Sequence, residues 1–257
     1  MSQRVALVTG SARGIGRAIL ERLSVDHDCV VHGRRDVAAA EEVAGVLAGN
    51  GARTLVVTGD LADPEQVARL ADETLAHFGR VDTLVANAAS TAFRPLTSVS
   101  GRHSRMTFGT VVDSLVELVH RAAPGMGSGG RILTIGGLDA RFAQAGHGLL
   151  GGAKAALEAL TRSWAVELGP RGVTANTIVP GPVLTDSLET YLDGNEEVRT
   201  LLVEHTPVGR LATPGDIADV AAFLVSPAGG MISGQVIVVD GGISAQGGPW
   251  GSMRELW

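Results

Sequence analysis

A glycine-rich loop near the amino terminus has the residue types and spacing of a phosphate-binding site. Gly10, Gly14 and Gly16 follow an apolar run at 5–9 and precede an amphipathic helical pattern. Glycines here allow a tight turn and let a pyrophosphate approach the backbone at a helix N-terminus. An ordinary glycine-rich turn would also contain such residues, but the position between strand and helix favours phosphate binding. The residues expected to contact a dinucleotide are Gly10, Ser11, Arg13, Gly14, Ile15 and Gly16.

The end of the second apolar run indicates which dinucleotide binds. Sites that prefer NAD place an acidic residue at the end of this strand, where it accepts the ribose hydroxyls. Here the run 29–33 is followed by Arg34, which can form charge-assisted bonds to a 2′-phosphate, and Arg13 can add a second positive contact. Asp36 would favour NAD if the strand extended that far. The two arginines together predict NADP(H), although both could also be solvated surface charges.

Short β-type runs alternate with longer helical patterns along the chain, and most of the short runs are nearly all apolar. Strands covered by helices on both faces have this composition. The runs are 5–9, 29–33, 54–58, 83–86, 131–136, 174–179 and 236–239. Asp63 and Thr213 each precede a proline that opens a helix, at 64–78 and 214–224, and we expect them to cap these helices. The alternation predicts one α/β domain over residues 1–257, a doubly wound parallel sheet with helices on both faces.

Composition excludes several classes of partner. Lys and Arg total 21 and Asp and Glu total 27, which gives a net charge of −6, and no basic block is present. We therefore expect no nucleic-acid partner. No apolar run reaches the length of a membrane span, and the first strand begins almost at Met1, so we expect a cytoplasmic protein without a membrane partner. The single cysteine, Cys29, lies in an apolar run and is expected to be buried. We expect no metal site.

Five motifs in order along the chain resemble the short-chain dehydrogenase/reductase family, which has a Rossmann-type fold. They are Thr9–Gly16, Asp60 with Leu61, the Asn-Ala-Ala that begins at Asn87, the segment 176–185 and the segment 233–242. The resemblance covers nearly the whole chain. It implies that the cofactor is contacted by Asp60, Leu61 and Asn87, and at the nicotinamide by Pro180, Gly181, Val183 and Thr185. It also implies a homo-oligomer, a tetramer or a dimer, formed through two long helices and the final strand.

The same resemblance shows that the catalytic residues are largely missing. The family donates a proton from a tyrosine, uses a lysine four residues later, and polarises the carbonyl with a serine thirteen residues before the tyrosine. Lys154 matches the family's lysine, whereas Leu150 stands in place of the tyrosine and Gly137 in place of the serine. The family's asparagine on the preceding helix has no counterpart, and Asp113 is the nearest polar substitute. The sequence therefore resembles a reductase whose usual acid has been removed.

Other residues could supply the proton. His147 is the first candidate because an imidazole titrates near neutrality, and Asp139 is the second. Arg141, on the same loop, could stabilise an oxyanion. For each of them, the stronger interpretation is a solvated residue on a glycine-rich loop. The only tyrosine of the chain, Tyr191, lies far along the sequence, in the segment that the resemblance assigns to a substrate lid, and no tyrosine occurs near position 150.

The region after Gly181 resembles the family's substrate lid, at about 183–208. Its apolar residues suit a cover over an apolar small-molecule substrate, of which a cyclic compound is one kind, or an oligomer contact. The C-terminal tail at 244–257 contains Trp250 and Trp257, which could pack on a neighbouring subunit or belong to a mobile end.

Three functions fit these residues. The first is an NADPH-dependent ketoreductase with an unusual proton donor. The second is a non-redox enzyme on the same scaffold, such as a cyclase, isomerase or dehydratase. The third is a non-catalytic partner of an active relative. We expect the first because it uses all of the cofactor-binding residues.

Overall fold

The computed structural model describes residues 3–246 of the chain. Its centre is a seven-stranded sheet in the order β3-β2-β1-β4-β5-β6-β7, in which every neighbouring pair is parallel. The strands are β1 (Arg4–Val8), β2 (His27–Gly33), β3 (Thr54–Thr58), β4 (Thr83–Ala86), β5 (Arg131–Ile135), β6 (Thr174–Pro180) and β7 (Val236–Val239). The predicted doubly wound parallel sheet is confirmed, with strand ends displaced by at most two residues.

Nine α-helices are present in this part of the chain. They are α1 (Gly14–Leu23), α2 (Val37–Gly49), α3 (Pro64–Phe78), α4 (Gly101–Phe108), α5 (Ser114–Ala122), α6 (Gly148–Leu168), α7 (Asp186–Leu192), α8 (Glu196–Glu204) and α9 (Pro214–Val225). The predicted caps are confirmed, because the side chain of Asp63 accepts from the N–H of Glu65 and that of Thr213 from the N–H of Asp216. Proline fits the first turn of both helices because it has no N–H to leave unpaired.

Alternate residues of β1 explain why helices cover both faces of the sheet. Val5 and Leu7 belong to a core shared with α3, α5 and α6, whereas Ala6 and Val8 belong to a core shared with α1, α2 and α9. Successive side chains of a strand point to opposite faces, so an all-apolar strand needs a helical layer on each side. All four of these side chains are at most 1% exposed.

The helix before β5 is interrupted in a way that the sequence pattern did not indicate. A π-helical turn, Gly109–Asp113, separates α4 from α5. Asp113, the predicted substitute for the missing asparagine, is exposed. Val111 and Leu115, two residues to either side, are buried, so the helical periodicity points Asp113 away from the core. The prediction of a catalytic Asp113 is therefore not supported.

Several simpler expectations can be compared with the described residues. Cys29 is fully buried, and burial raises the pKa of its thiol to about 12. None of the described helices is long and apolar enough to cross a membrane. Between residues 3 and 246 no cluster of His, Cys, Asp or Glu could hold a metal ion. The tail is described only as far as Gln246, so Trp250 and Trp257 lie outside the described residues.

Candidate active site

The glycine-rich loop lies where the strand order reverses, between β1 and β4. Ligands of open parallel sheets bind at this point, beyond the carboxyl ends of the strands. The side-chain amide of Asn87, just after β4, donates to the carbonyls of Thr9 and Gly10 at 2.9 and 3.1 Å. A Cβ on Gly16 would lie 2.6 Å from that amide nitrogen, so glycine is required there. Asn87 therefore positions the loop from the neighbouring strand.

A second support of the loop is His32 on β2, which the sequence analysis did not single out. Its Nδ1 accepts from the N–H of Gly10 at 3.1 Å, and its Nε2 lies 3.1 Å from the carbonyl of Gly59. Burial lowers the pKa of His32 to about 4, so the ring is neutral at physiological pH. Because Nδ1 accepts, the single ring proton is on Nε2 and is donated to Gly59. The imidazole thus connects the loop to the end of β3.

The N-terminus of α1 is suited to an anion. No side chain in the described structure caps the helix at Arg13, and its first turn has no acidic residue. Gly10 and Gly14 adopt positive φ angles of 66° and 57°, which turn the chain tightly into the helix. The first N–H groups of α1 therefore remain available for a phosphate. These residues fit the pyrophosphate of a dinucleotide as predicted.

Arg34 and Asp60 meet at the ends of β2 and β3. The guanidinium of Arg34 donates from Nε and Nη2 to Oδ2 of Asp60, at 2.9 and 2.5 Å. Asp36 is not a ribose acid on this strand, since β2 ends at Gly33 and the carboxylate of Asp36 caps α2 by accepting from the N–H of Ala39. Asp36, the residue that would favour NAD, is therefore used as a helix cap, and Arg34 is a charged group beside the expected ribose. Leu61, which follows Asp60 in the chain, is buried, and Arg13 of the glycine-rich loop is exposed.

A cavity of about 400 Å³ opens beside the glycine-rich loop. It is bounded by the turn after β5, by α6, by the segment after β6 and by α7. Six of the predicted cofactor residues line it: Ile15, Lys154, Pro180, Gly181, Val183 and Thr185. The cavity is therefore in the place expected for a nicotinamide and the substrate beside it.

Lys154 is the buried cation of this cavity. Its side chain is 5% exposed, and its ammonium donates to the backbone carbonyl of Ile135 at 2.5 Å. Burial lowers the pKa of Lys154 to about 8, against a smaller opposing effect of Asp139. Leu150, one turn earlier on α6, lines the same cavity. The lysine has kept its predicted place, and a leucine stands where a phenol would be.

The carboxylate of Asp139 occupies the space beside Gly137. A Cβ built on Gly137 would lie only 2.4 Å from Oδ1 of Asp139, so a serine there would displace the carboxylate. A Cβ on Gly151 would lie 2.3 Å from the backbone carbonyl oxygen of Asp139, which shows how closely α6 packs on this turn. The glycines at 137 and 151 thus make room for Asp139, which lines the cavity.

Four polar side chains meet at the mouth of the cavity, and one of them, Tyr191, is far from the other three in sequence. Nδ1 of His147 lies 3.6 Å from Oδ2 of Asp139, and Nε2 of His147 lies 3.3 Å from Oη of Tyr191. The amide of Gln144 also donates to Oη of Tyr191, at 3.2 Å. The sequence has no tyrosine near position 150, but α7 brings Tyr191 to the same cavity in space. The two predicted candidates, His147 and Asp139, are side by side.

Arg141 does not belong to this site. It lies on the surface and pairs with Glu158 of α6 at 3.4 Å, and it is not among the residues that line the cavity. Phe93, which the sequence analysis did not consider, packs on both aromatic partners at ring-centroid distances of 4.5 Å to His147 and 5.5 Å to Tyr191. No local sequence pattern indicates these contacts.

Comparison with known proteins supports the family that the motifs predicted. A family model described as enoyl-(acyl carrier protein) reductase matches residues 10–244. A hydroxynaphthalene reductase-like protein of Metarhizium majus is 34% identical over 254 residues, with 94% of this chain and 95% of that protein covered. The chain belongs to the short-chain dehydrogenase/reductase family of nicotinamide-dependent oxidoreductases.

Solved structures agree with this assignment. A short-chain dehydrogenase of Burkholderia cenocepacia, crystallised with NADP, matches with a TM-score of 0.88 and 32% identity, covering 95% of this chain and 98% of that one. The angucycline C-6 ketoreductase LanV with bound NADP matches with a TM-score of 0.87 and 32% identity, covering 93% and 95%.

Proposed function

We propose that the protein is an NADPH-dependent ketoreductase that reduces an apolar, cyclic carbonyl compound and has a non-standard proton donor. The observation that carries the proposal is the placement of the buried Lys154 at a cavity that also contacts Ile15 of the glycine-rich loop. One cavity thus joins the cofactor loop to a substrate-sized space. When bound, the cofactor supplies hydride to the carbonyl carbon.

The chain's own residues provide the rest of the site. The N–H groups at the start of α1 would bind the pyrophosphate, with Gly10, Ser11, Gly14, Ile15 and Gly16 forming the loop. Asp60 and Leu61 would contact the adenine, and Asn87 would fix the loop. Lys154 would donate to the ribose hydroxyls of the nicotinamide nucleoside. The residues proposed to hold the nicotinamide itself are Pro180, Gly181, Val183 and Thr185.

Preference for the phosphorylated cofactor is proposed from Arg34 and Arg13. Arg34 is a planar donor that can bind a 2′-phosphate with two hydrogen bonds, and its partner Asp60 holds it at the ends of β2 and β3. We expect Arg34→Ala to weaken NADPH binding by at least tenfold in calorimetry and to change NADH binding little. Arg22→Ala on α1, whose guanidinium pairs with Asp219, is the control. An equal loss of both cofactors in Arg34→Ala would refute the 2′-phosphate contact.

The substrate is proposed from the cavity and from the relatives. Its walls are mainly apolar, and its volume of about 400 Å³ suits a small fused-ring molecule. The apolar wall residues include Phe93, Leu138, Phe142, Leu188, Leu202 and Ile243. Relatives named for hydroxynaphthalene and angucycline substrates act on fused aromatic rings, which supports the same class here. We propose that α7 and α8, within 183–208, form the lid over this substrate.

Because the family's tyrosine and serine are missing, the alternative function is a non-redox enzyme. Leu150 and Gly137 remove two groups that assist hydride transfer, whereas a cyclase or isomerase would not need them. The two functions differ in one measurable quantity, the consumption of NADPH during turnover, which is measured by the absorbance of the reduced nicotinamide.

A homo-oligomer is also proposed. Val166 on α6 is 77% exposed and Val116 on α5 is 44% exposed. Strand β7, which consists of valine and isoleucine only, forms one edge of the sheet and is half-buried. Apolar helix faces and an unpaired sheet edge on one molecule favour association with a second copy. Sedimentation should show a dimer or tetramer that Val166→Glu weakens; a monomeric wild-type protein would contradict the proposal.

A further inference from the structure

We propose that Tyr191, which α7 carries into the cavity, is the proton donor of the reaction, with His147 and Asp139 as a relay behind it. The proposal rests on the reductase function proposed above. It assigns to a lid residue the role that a tyrosine on α6 has in the family.

The first support is the set of ionisable groups at the cavity. Among its lining residues in the described structure, only Asp139, His147, Lys154 and Tyr191 can ionise near or above neutrality or carry charge. Lys154 donates to the carbonyl of Ile135 and is proposed above to bind the nicotinamide ribose, so we assign it to cofactor binding and not to proton donation. Tyr191 offers the same phenol that the family uses, and it reaches the same cavity that Leu150 lines. The phenol is thus supplied by α7 of the lid, whereas in the family it is supplied by the helix that corresponds to α6.

The second support is the geometry behind the phenol. Oη of Tyr191 lies 3.3 Å from Nε2 of His147, and Nδ1 of His147 lies 3.6 Å from Oδ2 of Asp139. The side chains of His147 and Asp139 are only 15% and 10% exposed, so this part of the relay is mostly shielded but still contacts solvent. A carboxylate beside Nδ1 orients an imidazole and stabilises its protonated form, as in other catalytic triads.

The third support is the space made for these groups. Phe93 packs against His147 with the two rings tilted by 43° and meets Tyr191 edge-on, so it contacts both rings. Gly137 lacks the Cβ that would otherwise lie 2.4 Å from Oδ1 of Asp139. The replacement of the family's serine by glycine is thus explained, because the carboxylate of Asp139 needs that space.

Reduction of the carbonyl requires one proton at its oxygen, and Tyr191 supplies it. When hydride reaches the carbonyl carbon, the π electrons of the carbonyl move to its oxygen. That oxygen takes the proton of Tyr191, and the O–H bond of the phenol breaks. The phenolate takes the proton from Nε2 of the imidazolium of His147, which becomes neutral and keeps its Nδ1–H directed at Asp139. Solvent then returns one proton to His147. Tyr191 is the catalytic residue, and His147 and Asp139 act through it.

Kinetics of single substitutions test the assignment. Tyr191→Phe keeps the aromatic ring against Phe93 and removes only the hydroxyl. We expect kcat to fall by about 10²–10⁴-fold, with KM and NADPH affinity nearly unchanged. His147→Gln should lower kcat in the same direction. The matched control is Thr190→Val on the same helix, whose hydroxyl bonds only to the backbone of Asp186, and its kcat should equal that of the wild type.

A spectroscopic measurement tests the relay without turnover. The chain has one tyrosine, so tyrosine labelled with carbon-13 only at Cζ gives a single ring resonance that reports the hydrogen bonding of Tyr191. We expect this resonance to shift in His147→Gln and in Asp139→Asn, and to stay in place in Thr190→Val. A lid residue that is not coupled to His147 would not respond to Asp139→Asn, because the carboxylate reaches Tyr191 only through His147.

The outcomes separate the two proposals. Full kcat in Tyr191→Phe, or a tyrosine resonance that ignores His147→Gln, overturns the relay. Loss of activity in His147→Gln with full activity in Tyr191→Phe overturns it as well, and identifies the imidazole as the direct donor. Wild-type protein that never consumes NADPH overturns the reductase function instead, while the resonance still reports the hydrogen bond.

Discussion

Lys154 is predicted to weaken the folded protein at neutral pH while it serves the site. Burial lowers its pKa from 10.5 to about 8. Each pKa unit corresponds to about 1.4 kcal/mol, so the charged form costs roughly 3 kcal/mol in the folded state. Lys154→Met removes this cost but leaves the carbonyl of Ile135 without its partner, a loss of about 1–2 kcal/mol. The variant should be more stable than the wild type by roughly 1–2 kcal/mol at pH 7.

The sign of the pH dependence follows from the same shift. Between pH 8 and 10.5 the unfolded chain binds the proton of Lys154 more strongly than the folded chain does. The wild-type protein therefore gains stability as pH rises through this window, and Lys154→Met does not. Above about pH 10.5 the order should reverse, because the neutral amine keeps its hydrogen bond to Ile135 and no longer carries the charge that burial penalises.

Urea unfolding of both proteins at several pH values from neutral to alkaline provides the measurement. Arg162→Met, which removes an exposed cation from the same helix, should show no such crossover. Lys154→Met should at the same time bind NADPH weakly and have little activity, a gain of stability with a loss of function. A variant that is less stable than the wild type at every pH would refute the view that the lysine is a buried, destabilising cation.

The packing around Asp139 gives two further predictions. Gly151→Ala places a Cβ against a backbone carbonyl and should lower the free energy of unfolding by about 1–3 kcal/mol, measured by thermal or urea unfolding. Gly152→Ala, whose Cβ would have its nearest neighbour at 3.9 Å, should instead stabilise α6 by about 0.5–1 kcal/mol. Equal effects of the two substitutions would show that the turn does not pack as described. Gly137→Ser should lower kcat, although it restores the family's residue, because it displaces the carboxylate of Asp139; a higher kcat in a steady-state assay would contradict the role given to that carboxylate.

The sequence predicted the scaffold well because the relevant signals are local. Apolar runs of four to seven residues, prolines preceded by capping residues and a glycine-rich turn each depend on neighbours in the chain. The helix at 64–78 was predicted with the ends that the structure has, because Asp63 caps it and Pro64 opens it. The π-helical turn at Gly109–Asp113 was missed since no residue pattern distinguishes it from a continuous helix, and Asp113, chosen only as the nearest polar residue, is exposed.

The catalytic half was predicted less well because its contacts are not local. His147 and Asp139 were identified by type and by nearness to Lys154 in the sequence, and the structure brings them together. Tyr191 was set aside because it is 44 residues from His147, and only the packing of α7 over the cavity joins them. His32 gave no signal either, since a buried histidine on a strand is recognised only when its hydrogen-bond partners are known.

The most direct test of the central claim is the stoichiometry of NADPH consumption during turnover of a fused-ring ketone. Absorbance of the reduced nicotinamide and chromatography of the product would be followed in the same reaction. The proposed function predicts one NADPH oxidised for each carbonyl converted to a hydroxyl group. Conversion of substrate with no loss of NADPH, or tight NADPH binding without oxidation by any such ketone, would contradict it and favour a non-redox enzyme or a non-catalytic partner.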